Sequence, residues 1–132
     1  MSRARNLMKK ISGIDKEEKI HLEALWTLLL GLEEALENED YERAEDCVLA
    51  SEDYLNELEE LVKKHIDFYE PIEAYKLGRE FFCYFVILTF FKTKLNHESL
   101  ISKKDLMTAQ NFLSSITRIF LGEDIEEDKK DD

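Results

Sequence analysis

The sequence predicts an all-α protein, an antiparallel four-helix bundle built from two helical hairpins and followed by a disordered acidic C-terminal tail. Three observations point there. In three segments apolar residues recur at alternating spacings of three and four, the repeat of one helix face, and a fourth is apolar on every side. Ser12 with Asp15, and Ser102 with Asp105, form S-x-x-D signals that start helices. Four glycines and one proline in 132 residues supply too little turn chemistry for a many-stranded fold.

The first long helix is expected to begin at the Ser12/Asp15 signal, and its seam is Leu22, Leu25, Leu29, Leu32 and Leu36. Glu37-Asn38-Glu39-Asp40 ends it, and Asp40 is placed to cap the next helix. That second helix carries Tyr41, Ala44, Val48, Ser51, Leu55, Leu58, Val62 and His65, with Cys47, Tyr54, Leu61 and Phe68 widening the apolar face. So short a connection folds the two helices antiparallel. Pro71 stops the second helix and suits the first turn of a third, running to about Leu95. The third contains FFCYFVILTFF, residues 81–91, which is apolar on every side. A strand competes for that run, since Phe, Tyr, Val and Ile favour strands, but a single strand would have no partner. The fourth helix, started by Ser102 and Asp105, has Leu106, Ala109, Leu113, Ile116 and Phe120 as its seam and Gly122 as its stop.

A chain of this length is one domain and needs no disulfide or metal staple. It divides into a basic arm (1–14), the bundle (15–122) and the tail (123–132). The tail, EDIEEDKKDD, holds Glu123, Asp124, Glu126, Glu127, Asp128, Asp131 and Asp132 against two lysines. So short and charged a segment is expected to be disordered. The net charge is −12, and it is unevenly spread. Residues 15–70 carry 19 acids and 5 bases, net −14, whereas residues 71–122 carry 4 acids and 7 bases, net +3. The acidic face of the second helix has two readings, a solvated surface or a contact for a basic partner. Direct binding of nucleic acid or anionic lipid is not expected of the isolated chain. With no apolar run long enough for a signal peptide or a membrane span, a cytoplasmic protein is expected.

The motifs of catalysis do not emerge. Glu18-x-x-His21 has the ligand spacing of a di-metal bundle but occurs once, since Val62 and Lys94 precede His65 and His97 by three. Glu18 and His21 are therefore read as surface residues, and no metal or other cofactor is expected. His65 reads as a hydrogen-bonded histidine at the end of the bundle. There is no glycine-rich phosphate loop. Cys47 and Cys83 have no CxxC spacing and no neighbouring histidine, so they read as two buried thiols or as one interhelical disulfide. Gln110-x-x-Leu113-x-x-Ile116 partly resembles the peptide that docks on sliding clamps, but Leu113 and Ile116 are seam positions.

Two helices hold more apolar bulk than a bundle buries. Trp26 and Leu30 lie off the first seam, and residues 81–91 exceed what one face requires. Either an irregular bundle covers the surplus or it forms an interface. The expectation adopted is a protein–protein interface of Trp26, Leu30, Phe81, Phe82, Phe85, Phe90 and Phe91, with a copy of the chain or with a larger assembly.

A compact helical chain ending in EDIEEDKKDD after Gly122 resembles the small accessory subunit of archaeal B-family DNA polymerase holoenzymes. That resemblance implies a non-catalytic subunit whose acidic tail acts near the DNA path of its partner, modulating DNA synthesis. The two-helix unit around LENEDYERAEDC is also similar to the hairpins of flagellar export chaperones and helical-repeat proteins. The functional expectation is accordingly an acidic accessory or adaptor subunit working by protein contact and not an enzyme. The alternatives are a homodimeric regulator or chaperone, and a ligand-binding or enzymatic bundle.

Overall fold

A computed structural model describes residues 17–122. The basic arm, the Ser12/Asp15 start signal and every acidic-tail residue lie outside the described residues. Among the described residues four helices follow one another, α1 (Lys19–Glu37), α2 (Tyr41–Lys64), α3 (Pro71–Asn96) and α4 (Lys103–Phe120), with a 3-10 turn (Ile66–Phe68) after α2. Among the described residues there is no strand. α1 packs on α2, α2 on α3 and α3 on α4, while a lighter α1–α4 contact closes the ring. The result is the expected bundle of two hairpins, with α1 diagonal to α3.

The starts of α2, α3 and α4 and the turns inside the two hairpins each have a local cause. Asp40 accepts a hydrogen bond from the Arg43 N–H at 3.2 Å and so caps α2. Pro71 occupies the first turn of α3, where its missing N–H costs nothing, and Glu70 and Glu73 form a reciprocal capping box. Ser102 and Asp105 make the same exchange at α4, at 3.1 and 3.2 Å. The two interhelical turns inside the hairpins are built alike. Asp40 N–H bonds Ala35 O and Glu39 N–H bonds Leu36 O; Ser99 N–H bonds Lys94 O and Glu98 N–H bonds Leu95 O. Each pair is a Schellman closure, and each puts a glutamate at φ 55°, in the left-handed region that favours glycine. Gly122, at φ 78°, follows α4.

The core is continuous, from Leu22, Leu25, Leu29 and Leu32 of α1 through Val48, Leu55 and Leu58 of α2 to the inner faces of α3 and α4. Trp26 belongs to it, fully buried, which corrects its assignment to an interface. The physical reason is that α1 touches both α2 and α4, so its buried arc is wider than one leucine seam. Trp26 lies on the flank of that arc and donates its indole N–H to Thr117 Oγ1 of α4 at 2.9 Å. The Thr117 hydroxyl in turn donates to Leu113 O at 2.8 Å, so both polar groups are satisfied in an apolar setting. Phe81 and Phe91 are likewise core residues, 1% and 0% exposed, and are also withdrawn from the expected interface. Leu113 and Ile116 are fully buried, as their seam positions require. Tyr41, Tyr54 and Phe68, expected on the inward face of α2, are exposed: α2 turns only a narrow stripe inward, and Phe68 lies beyond its end in the 3-10 turn.

Candidate interaction surface

The apolar run of α3 contains two stripes. Leu77, Phe81, Tyr84, Leu88 and Phe91 are buried and recur at spacings of four and three, forming the inner stripe. Ile72, Tyr75, Arg79, Phe82, Val86 and Phe90 recur at the same spacings half a turn away, and all are exposed. The outer stripe covers eighteen residue steps, about 27 Å at the α-helical rise. Phe82 keeps 69% of its surface, Tyr75 66%, Ile72 55%, Val86 53% and Phe90 38%. Its one charged member, Arg79, is engaged along its own helix, where Nε donates to Glu80 Oε2 at 3.2 Å. Lys94 stands at its C-terminal end with Nζ 5.3 Å from the centre of the Phe90 ring. On a helix that already buries a complete inner face, an outer face this apolar and this long is the candidate interaction surface.

Of the seven residues expected at an interface, Phe82 and Phe90 lie on this stripe and Phe85 is half-buried beside the core. Leu30 belongs elsewhere. With Leu36, Ile101, Leu106 and Met107 it lines a groove of about 370 Å³ between the second half of α1 and the first half of α4, rimmed by Glu33, Glu37, Lys103 and Gln110. Burial, followed by repulsion from Glu37, holds the Glu33 carboxyl above its usual range. The structure therefore separates Leu30 from Phe82, because α1 and α3 are diagonal. The sequence reading missed Ile72, Tyr75 and Val86, and their signal was legible: extended back from Phe82 at spacings of three and four, the outer stripe passes through Arg79 to Tyr75 and Ile72.

The acidic half of the molecule is α1 and α2, where Glu42, Asp46, Asp53, Glu57 and Glu60 are exposed along α2. Lys92 of α3 reaches across to it, donating to both carboxylate oxygens of Glu52 at 3.1 and 3.2 Å. At the end of the bundle Glu18 is buried, 3% exposed, and not on the surface as expected. Tyr69 donates its hydroxyl to Glu18 Oε2 at 2.5 Å, and His65 Nδ1 lies 3.5 Å from the same oxygen. Burial alone would raise this carboxyl, but the hydrogen bonds from Tyr69, the backbone and His65 outweigh it and hold it below its usual range. His21 points to Glu57, at 3.1 Å, so Glu18 and His21 serve different neighbours. Cys47 is buried and Cys83 half-buried, both as free thiols, and burial pushes the Cys47 thiol up. Among the described residues no helix is long and apolar enough to cross a membrane. No protein family, curated protein or solved structure matches this chain.

Proposed function

We propose that this chain is a non-catalytic accessory subunit that works by protein–protein contact, docking through the outer face of α3 and presenting its acidic hairpin and tail to basic surroundings. The observation that carries this reading is the outer stripe from Ile72 to Phe90. Docking through α3 turns the +3 half of the bundle toward the partner and leaves the −14 half outward. An outward acidic surface attracts basic protein surfaces and repels nucleic acid over distances of about 8–10 Å in physiological salt. The resemblance of the tail makes a B-family DNA polymerase holoenzyme the assembly in which such a subunit would modulate synthesis.

The test is affinity purification from the native source with the wild-type chain and with Phe82→Glu as bait. Proteins retained by the wild type and lost with Phe82→Glu support docking through α3, and a B-family polymerase among them supports the assembly. An identical retained set from both baits contradicts the docking surface.

A further inference from the structure

We infer that the outer face of α3 is occupied by a second copy of this chain, the two α3 helices pairing antiparallel about a two-fold axis near Glu80 and Phe81. This rests on the reading of α3 as a docking surface and names its occupant in the free chain, before another partner takes the same face.

A two-fold interface needs one patch that carries both a projection and the recess that receives it. The outer stripe has both, one helical turn apart. Phe82 is the projection, the most exposed aromatic residue of α3. The recess is at Gly78, exposed in mid-helix, where an added Cβ would meet nothing within 4 Å. Nothing inside the monomer requires glycine there, and glycine weakens a helix interior. An axis near Glu80 and Phe81 sets Phe82 of each copy over Gly78 and Arg79 of the other, and Tyr75 opposite Val86. Ile72 then falls beside Phe90, so the stripe is matched over its whole length.

The area and the charge agree with this occupant. The five apolar residues retain about 500 Å² per copy, taking ~150–250 Å² for an aromatic side chain. Pairing removes about 1,000 Å² in all, the lower bound for a specific interface. A chain of net charge −12 repels its own copies over most of its surface. The outer stripe holds no acid, and residues 71–122 are net positive, so α3 is where two copies approach at least cost. Glu70 and Glu73 stand at one end of α3 and Lys94 at the other, so the antiparallel pairing brings unlike ends together. The −14 hairpins are left on the outside of the pair.

Sedimentation equilibrium of the purified full-length chain up to about 100 µM, a range that detects even micromolar association, tests this directly. The expected result is a dimer whose dissociation constant rises by about 100-fold or more in Phe82→Glu, with the helical circular dichroism unchanged. Gly78→Gln is the second variant. It strengthens the isolated helix while filling the recess, so it should dissociate the dimer without lowering the melting temperature. A wild type that stays monomeric overturns the self-pairing, while docking of another protein on the same face remains separately decided by the Phe82→Glu bait. A dimer that survives both substitutions is held elsewhere and overturns the inference.

Discussion

Trp26 shows how a single side chain decides between surface and core. Its indole is buried with the N–H on Thr117, so Trp26→Ala should cost about 3–5 kcal/mol of stability, measured by urea unfolding. An exposed tryptophan at an interface would leave unfolding of the monomer almost unchanged. Tyr84 presents the opposite case. Its hydroxyl is buried with no hydrogen-bond partner among the described residues, and burial pushes its ionisation well above the usual range. Tyr84→Phe should therefore stabilise the bundle, by about 1 kcal/mol, because it removes an unsatisfied polar group and keeps the ring. Glu18 couples stability to pH. Its carboxyl is held below the ordinary value of 4.5, so the unfolded chain binds that proton more tightly than the folded one. The stabilisation is present above the ordinary value and is lost as pH falls through the lowered folded one. The melting-temperature advantage of the wild type over Glu18→Gln should accordingly shrink between about pH 5 and pH 2. An advantage independent of pH would mean that the Glu18 charge is not what Tyr69 and His65 hold.

At the scale of the element, the two hairpin turns share a closure that places Glu39 and Glu98 at positive φ. Neither glutamate suits that conformation, so Glu39→Gly should raise stability by about 1 kcal/mol, read as a shift in the thermal midpoint. The helices themselves were legible from two kinds of signal, the apolar seams of α1, α2 and α4 and the start signals Asp40, Pro71 and Ser102, which stand where the chain turns. Burial was less legible wherever a helix meets two neighbours. The leucine repeat of α1 gives one stripe, but the contact with α4 adds a second, and Trp26 falls on it. In α3 the difficulty was of another kind. Residues 81–91 are apolar at every position, so periodicity inside that run cannot sort Phe81 and Phe91 from Phe82 and Phe90. Only the polar and small residues before it, from Ile72 to Glu80, fix the phase. Glu18 was read as surface because its two partners, His65 and Tyr69, lie far along the chain and only the closed bundle brings them to it.

The whole molecule is polarised twice, by charge between its two hairpins and by apolarity across α3. Both asymmetries are written in the sequence, but their relation needs the fold: the apolar stripe lies on the net-positive hairpin, on a helix diagonal to α1. That arrangement would let one face associate while the acidic half stays free, which is what the proposed docking through the outer surface of α3 requires. Site-specific photo-crosslinking in the native cell measures this most directly, with a photoreactive residue placed at position 82 in one variant and at the exposed acidic position 53 in another. The predicted result is a discrete higher-mass adduct from position 82 and none from position 53. Adducts from position 53 alone would place association on the acidic face instead and contradict a docking role for α3.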